Sequence, residues 1–197
     1  MKSPIWIPAL EKITVASDNA NYCDKDGVLY SKDGKTLLFI PGKATKVDIG
    51  SVTLGESEFN MFRECTGITS ITGSTENYST KDNKPAIYST DGKTLYYASA
   101  ASTDTDAILD GVETIETKAF CKWTTTEVSI PASVKTIKNE AFYCCDNLSQ
   151  IIFAGTKDQW NAINKENGWR QGNRNIIFKT VTRKFLMFNP FYAANAD

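Results

Sequence analysis

Five cysteines are the residues of this 197-residue chain whose side chains are chemically most versatile: Cys23, Cys65, Cys121, Cys144 and Cys145. A zinc site needs two cysteine pairs at ligand spacing, and the sequence does not provide them. The odd number argues against a complete disulfide framework. A nucleophilic cysteine needs a histidine partner, and the chain contains no histidine. The pattern therefore favours buried thiols that act as small hydrophobic side chains.

The absence of histidine excludes Ser-His-Asp and Cys-His hydrolases and most zinc enzymes. Enzymes whose chemistry is based on carboxylates or lysine are not excluded in this way. The pairs Glu56/Glu58 and Asp104/Asp106 have the residue type that glycosidases use, but both pairs lie in segments that we expect to be irregular and solvated. We therefore predict a protein that is not an enzyme and has no catalytic residue, with a carboxylate-dependent glycoside hydrolase as a remote alternative.

Metal, nucleic-acid and membrane binding also find little support in the composition. Asp24-Lys25-Asp26-Gly27 is similar to the start of a calcium loop, but it lacks the third acidic position and the distal glutamate, so a turn is predicted. The net charge is -1 and the basic residues are scattered, which argues against nucleic acid and acidic membranes. No apolar stretch approaches the roughly 18 to 20 residues of a membrane span. We predict no cofactor and no metal.

An internal repeat organises most of the chain. The segment Asp33-Gly34-Lys35-Thr36-Leu37 recurs 58 positions later as Asp91-Gly92-Lys93-Thr94-Leu95. A shorter repeat of 22 residues follows, in which four apolar side chains recur in the same order: Val112, Ile115, Ala119 and Phe120 as Val134, Ile137, Ala141 and Phe142. Repeats at fixed spacing indicate a solenoid, because one coil cannot bury its apolar edge alone.

The repeat unit reads V-x-x-I-x-x-x-A-F, then Cys, then L-x-x-I-x-F. Its best copy comprises Val134, Ile137, Ala141, Phe142, Cys145, Leu148, Ile151 and Phe153. A period of 20 to 29 residues with an L-x-x-L-x-L strand is typical of leucine-rich repeats. We therefore predict a mainly β fold, a leucine-rich-repeat right-handed solenoid with inserted β-hairpins and a short C-terminal capping helix. Phe62, Phe120 and Phe142 should stack in register from coil to coil.

The best copy resembles one particular repeat family. Residues 130–137 (IPASVKTI), 141–148 (AFYCCDNL) and 153–163 (FAGTKDQWNAI) are similar to BspA-like (Treponema pallidum-type) leucine-rich repeats. The resemblance covers roughly residues 9–178. It implies a secreted or surface-attached protein of a host-associated bacterium, often discussed as an adhesin, although the first residues do not form a signal peptide. The first unit departs from the pattern, with Ser57 in place of isoleucine and Met61 in place of alanine.

Two insertions, at about 22–42 and 78–98, are predicted to be β-hairpins. In each, β-type segments flank an Asp-Gly dipeptide, which is favoured in two-residue type I′ turns because both central residues need positive φ. The tyrosines of these hairpins, Tyr30 and Tyr88, could be exposed contacts, since tyrosine offers a large amphipathic area. The alternative, which we favour, is that they pack against the side of the solenoid.

Both ends of the array are expected to need caps. Thr156 and Gln159 fit a capping box for a short helix that places Trp160 and Ile163 on one face. A C-terminal cap over about 154–178 would also include Trp169 and the strand-like 176–178. In the tail 179–197, the apolar segment 181–192 could extend the cap, self-associate or lead into a missing segment. The strand pattern of Leu10, Ile13 and Val15 suggests that preceding repeats are absent. We predict one domain, 9–178, and a monomer.

Strand alternation identifies the side chains that point away from the core. The leading hypothesis is a binding or adhesion module that recognises a host protein or glycan through this outward face. The alternative is a structural spacer without a ligand. The candidate binding residues are six outward strand positions and the two hairpin tyrosines: Ser70, Thr72, Glu127, Ser129, Gln150, Ile152, Tyr30 and Tyr88.

Overall fold

The computed structural model describes residues 7–81, 84–103 and 107–170, together with the backbone of 177–180. Within these residues it contains two helices, neither of them long and apolar enough to cross a membrane. In chain order the elements are β1 (Tyr22–Lys25), β2 (Val28–Ser31), β3 (Leu37–Phe39), β4 (Lys46–Asp48), α1 (Glu56–Glu64), β5 (Ser70–Thr72), β6 (Tyr78–Ser79), β7 (Ala86–Ser89), β8 (Thr94–Ala98), β9 (Thr114–Ile115), β10 (Glu127–Ile130), β11 (Thr136–Ile137), β12 (Gln150–Phe153), α2 (Lys157–Ala162), β13 (Asn164–Lys165) and β14 (Ile177–Thr180).

Parallel ladders between successive coils build the solenoid. One ladder pairs β8, β9, β11 and β13, and a second pairs β10, β12 and β14. A separate parallel pair, β4 and β5, belongs to the first coil. The fold is a mainly β repeat solenoid of about four turns, as predicted. The short strands follow from the repeat, because each coil contributes only two to four residues to a ladder before it turns.

The inserted β-hairpins are present, and both adopt a three-stranded antiparallel form. β1, β2 and β3 pair in the first, whereas β6, β7 and β8 pair in the second. Side chains from β7 and β8 alternate between the two core clusters of the molecule: Ile87 and Tyr97 belong to the first, Tyr88 and Leu95 to the second. The second hairpin therefore joins the two halves of the core.

The predicted type I′ turns at the two Asp-Gly dipeptides are wrong. Asp33 is not among the residues with positive φ, whereas Gly34 has a φ of 70°. The Asp33 carboxylate accepts hydrogen bonds from the Ser31 hydroxyl and the Lys35 amide, which holds a longer loop between β2 and β3. Two consecutive positive φ angles, 51° and 82°, occur instead at Asp26-Gly27 between β1 and β2. The turn predicted for that segment is confirmed.

The core consists of two clusters of fully buried side chains. In the second cluster Phe120 and Phe142 stack, with ring centroids 4.9 Å apart and an interplanar angle of 7°. Phe62 lies in the first cluster, where its ring contacts Tyr97 at 5.3 Å. The predicted aromatic register is therefore confirmed for Phe120 and Phe142. For Phe62 the ring neighbour is Tyr97, because the second hairpin enters the core at this level.

The C-terminal end carries the predicted helix. Thr156 accepts a hydrogen bond from the Gln159 amide at 3.2 Å and its own amide donates to the Gln159 side chain at 2.8 Å, so the capping box that opens α2 is confirmed. Trp160 covers Phe153, with ring centroids 5.4 Å apart, and lies 6.0 Å from the ring of Trp169. The segment 181–192 lies outside the described residues.

The strand pattern predicted at the start of the chain is not formed. Leu10, Ile13 and Val15 are half-buried, and residues 7–21 contain no strand. Ile13 donates to the Gly27 carbonyl and Val15 donates to the Asp24 carboxylate, so these amides are satisfied by the first hairpin. A solenoid strand needs a neighbouring strand for its ladder, and within the described residues no strand pairs with this segment.

Candidate binding surface

The outward face of β10 and β12 brings together four of the predicted contact residues. Glu127 pairs with Gln150, and Ser129 pairs with Ile152, so the four side chains form two rows across the coils. All four are half-buried, and the strands alternate strictly between half-buried and buried positions. The inward side chains are fully packed and give the face a rigid support. They are Val128, Ile130, Ile151 and Phe153.

This face combines a carboxylate, an amide, a hydroxyl and an aliphatic side chain. The Gln150 amide donates a hydrogen bond to the Glu127 carboxylate, so the two side chains hold each other in place across the ladder. The backbone of β14 continues the ladder beyond β12, with Ile177 opposite Gln150. The face can therefore offer both hydrogen-bond acceptors and an apolar contact at Ile152.

Ser70 and Thr72 lie in a different sheet. They are the outward residues of β5, which pairs with Lys46 and Asp48 of β4, and the pairing does not continue from β5 to β10. Lys25 approaches Asp48 at 2.9 Å. Burial opposes ionisation of Asp48, but hydrogen bonds from Lys25 and from a backbone amide outweigh it and lower its pKa. The six strand candidates thus divide into two patches.

The two hairpin tyrosines are core residues, and the interpretation as exposed contacts is wrong. Tyr30 and Tyr88 are both fully buried. The Tyr30 hydroxyl donates to the Asp48 carbonyl at 2.9 Å, and the Tyr88 hydroxyl donates to the Ala107 carbonyl at 2.7 Å. Burial raises the pKa of Tyr30 to about 12. Both hydroxyls find backbone acceptors inside the protein, so burial of the whole ring is stabilising.

The acidic pair in the first unit has structural roles. Glu56 and Glu58 lie in α1, and not in an irregular segment as predicted. Glu56 pairs with the buried Arg63 at 2.6 Å, and Glu58 accepts a hydrogen bond from the Gly55 amide at 2.8 Å. The other acidic pair, Asp104 and Asp106, lies outside the described residues. The Glu56 and Glu58 carboxylates thus both take part in interactions that stabilise α1.

The cysteines behave as predicted for buried hydrophobic thiols at three of the five positions. Cys65 and Cys145 are fully buried, and burial raises the pKa of each to about 12. The Cys145 thiol donates to the Phe120 carbonyl at 2.8 Å. Cys121 is buried as well, whereas Cys23 and Cys144 are half-buried. The described residues contain no group of three or more acidic or cysteine side chains that could hold a metal ion.

Helix α1 and the cleft beside it were not predicted from the sequence. This cleft, of about 180 Å³, lies between α1, β6 and β8, and three of the side chains that line it are aromatic: Phe59, Tyr78 and Tyr96. The signal for the helix is present in the spacing of Phe59, Phe62 and Arg63, which share one helical face. The sequence carries no such signal for the cleft, because its rings come from three separate elements.

Comparisons with known proteins identify the repeats. The family model of the BspA type leucine rich repeat region matches residues 92–166, in six copies. A search of curated proteins finds no match. Among solved structures, a leucine rich cell surface protein from Faecalibacterium prausnitzii A2-165 is 21% identical, with 65% of this chain and 56% of that chain covered and a TM-score of 0.29.

Two further solved structures are similar to this chain. A leucine-rich repeat protein from Eubacterium ventriosum is 15% identical, with 72% of this chain and 54% of that chain covered and a TM-score of 0.35. The pneumococcal vaccine antigen PcpA is 18% identical, with 89% and 40% covered and a TM-score of 0.26. The chain thus spans about half the length, or less, of the structures it matches. The resemblance that the sequence indicated is confirmed by the family model, and residues 92–166 belong to the BspA-type leucine-rich repeats.

Proposed function

We propose that this chain is a non-catalytic binding module of a bacterial surface or secreted protein. It recognises a host protein or a glycan through the outward face of β10 and β12. The observation that carries the proposal is the pair of in-register rows, Glu127 with Gln150 and Ser129 with Ile152, on a face whose inward side chains are fully packed.

Three physical features favour this face as a contact surface. Its backbone is fixed by a parallel ladder, so little conformational entropy is lost on binding. The hydrogen bond between Gln150 and Glu127 holds both polar groups before a partner arrives. Solenoid repeats also place equivalent side chains side by side, which produces extended surfaces suited to macromolecular partners.

We further propose that the protein is secreted or surface-attached, that its role is adhesive, and that residues 9–178 form one solenoid domain that acts as a monomer. The BspA-type match over residues 92–166 supports the repeat module of this proposal. The second strand patch, Ser70 and Thr72, would belong to the same contact surface only for a partner large enough to reach both sheets.

The experiment that tests the proposal compares three arginine variants of the whole chain. Wild-type protein is screened against immobilised human extracellular-matrix proteins and a printed glycan array. Gln150→Arg should weaken the binding so found at least tenfold, because a bulky cation at the centre of the face blocks close approach. Ser70→Arg tests whether the second patch takes part. Thr136→Arg is the matched control, since it places the same side chain on the other ladder.

Each outcome of the screen bears on the proposal. Loss of binding in Gln150→Arg, with binding retained in Thr136→Arg, would support the face of β10 and β12. Equal binding by wild type and Gln150→Arg would assign the ligand to another surface. Wild-type protein that binds nothing in either screen would favour a structural spacer.

A further inference from the structure

The cleft beside α1 has a wall of three aromatic rings. Phe59 stacks on Tyr96 with centroids 5.7 Å apart and an interplanar angle of 17°, and Tyr78 meets both rings edge-on, at 5.6 Å and 5.0 Å. Phe59 is buried, whereas Tyr78 and Tyr96 remain partly exposed on the cleft. With a volume of about 180 Å³ the cleft is smaller than a drug-sized pocket, so it suits one small ring-shaped molecule.

A buried guanidinium lines the same cleft and has an unused donor. Arg63 is 6% exposed. One terminal nitrogen donates to Glu56 at 2.6 Å and to Asn60 at 3.0 Å, and the other donates to the Thr117 carbonyl at 2.9 Å. Among the residues that the structure describes, the Nε of Arg63 has no hydrogen-bond partner. Buried donors in folded proteins nearly always find an acceptor, so an acceptor atom of a ligand would complete this group.

The Glu116 carboxylate completes the polar side of the cleft. Burial, followed by the charge of Glu116, raises the pKa of Tyr78. Burial, the neighbouring Tyr78 and then Glu116 raise the pKa of Tyr96. The carboxylate therefore lies close to both rings, and it also lines the cleft. The Glu116 carboxylate accepts from the Thr117 amide at 3.2 Å, and an ionised carboxylate only accepts hydrogen bonds, so it has room for a further donor from a ligand.

These groups together define the chemistry of the ligand. It must present an acceptor to Arg63, a donor to Glu116 and an apolar face to Tyr78 and Tyr96. An organic cation offers no acceptor for the free Nε. A carboxylate ligand offers no donor and is repelled by Glu116. A sugar ring meets all three requirements, because each hydroxyl both donates and accepts and the ring carries an apolar C–H face.

We propose that the cleft beside α1 binds one pyranose unit of a glycan, packed against Tyr78 and Tyr96 between Arg63 and Glu116. A second and larger cleft, of about 300 Å³, is also lined by Tyr78, with Thr53, Thr75 and Asn77 among its other lining residues. It gives a second sugar unit room to continue the chain. This site is separate from the face of β10 and β12 and does not depend on that proposal.

The test is titration of the whole chain with methyl glycosides of glucose, galactose, mannose and N-acetylglucosamine. The glycosides are used at up to about 10 mM and followed by saturation-transfer NMR and calorimetry, because single sugars commonly bind with a Kd on the order of 1 mM. At least one glycoside should bind wild-type protein. Glu116→Gln and Tyr96→Ala should each weaken it about tenfold, through a lost charged acceptor and a lost stacking surface.

Two matched controls separate this site from other effects. Glu113→Gln changes the same charge three residues away, at a side chain that pairs with Lys93 and Lys135 outside the cleft, and should bind like wild type. Gln150→Arg, which tests the strand face, should also leave the binding of the glycoside unchanged. Thermal melting checks the fold of each variant, and Tyr96→Leu replaces Tyr96→Ala where alanine unfolds the protein.

The results either support or overturn the sugar site. Binding that both cleft variants lose and both controls keep would support it, and an array of animal glycans and bacterial cell-wall polysaccharides then distinguishes the two sources. A wild-type protein that binds none of the four glycosides overturns it. So does a Glu116→Gln variant whose affinity equals that of wild type.

Discussion

The coil that contains α1 and the coil that ends in β12 bury equivalent side chains, but their backbone conformations differ. Phe62 and Cys65 of the first coil occupy the repeat positions of Phe142 and Cys145 in the later coil, and all four are 1% exposed or less. The first pair is delivered by a nine-residue helix. Phe142 and Cys145 lie in turns, and no helix forms between β11 and β12.

Two repeat positions distinguish the first coil, which has Ser57 and Phe59 where the later coil has Ile137 and Asn139. Ser57 stands where Ile115 and Ile137 enter the core, and it is exposed. Without that apolar residue the first coil cannot bury a strand at this point. It buries Phe59 instead, one helical turn before Phe62, so a helix is the backbone that places both rings on one side.

The later coils use strained turns where the first coil uses a helix. Lys118 and Lys122 have φ angles of 57° and 61°, and the residues one repeat later, Glu140 and Cys144, have 54° and 53°. Left-handed backbone is unfavourable for residues other than glycine. The comparison teaches that the repeat specifies which side chains are buried, while the backbone path adapts to the residues available.

The largest expected effect is on the shared aromatic position. Phe142→Ala should lower the free energy of unfolding by about 3–5 kcal/mol, because it empties a fully packed site against Phe120. Phe62→Ala should cost a similar amount, since Phe62 is equally buried. Denaturant unfolding at 25 °C measures both. A loss for Phe62→Ala less than half of that for Phe142→Ala would show that the two coils are not equivalent.

A smaller effect is expected at the next repeat position, where the coils differ. Arg63→Ala should cost about 1–3 kcal/mol, because it leaves the Thr117 carbonyl without this donor and frees Glu56. Tyr143→Ala, at the same position of the later coil, should cost less than about 1 kcal/mol, since Tyr143 is only half-buried. Equal losses in thermal unfolding would contradict a special role for Arg63.

Glycine at one repeat position should have opposite effects in the two coils. Cys144→Gly should stabilise the protein by about 1 kcal/mol, because it removes a side chain from left-handed backbone. Glu64→Gly should destabilise it by about 0.5–1 kcal/mol, because Glu64 is helical and pairs with Lys122 at 2.7 Å. Denaturation midpoints of the two variants test this, and a shift in the same direction would rule out the difference in backbone.

The smallest difference between the two coils is expected for their buried thiols. Cys65 and Cys145 each have a pKa of about 12, raised from 9.0 by burial, so both should resist Ellman's reagent at pH 8. Because the folded pKa is the higher one, the stability they contribute is complete below pH 9 and is lost as the pH rises from 9 to 12. Thiol titration at pH 8 and denaturation at pH 8 and 10.5 measure this. Fast reaction of either thiol at pH 8 would contradict its burial.

Predictions that depended on neighbouring residues in the chain were the more successful. The alternation of β12 follows from Ile151 and Phe153, and the α2 capping box follows from Thr156 and Gln159, three residues apart at most. The type I′ turns are the exception, because local hydrogen bonds to the Asp33 carboxylate hold a longer loop. The interpretation of the hairpin tyrosines as exposed contacts was wrong, since it depended on groups distant in sequence, such as the Asp48 carbonyl that accepts the Tyr30 hydroxyl. The contact role of Ser70, Glu127 and Gln150 stays a prediction.

The amino-acid sequence by itself determined the repeat, because like side chains at regular spacing can only be buried by stacking one coil on the next. Phe120 and Phe142 therefore meet ring on ring, as their positions indicated. The tertiary structure alone decided the path of the first coil and the cleft beside it. Phe59, Tyr78 and Tyr96 come from a helix and two hairpin strands, and only the packing of these elements brings the three rings within 6 Å of one another.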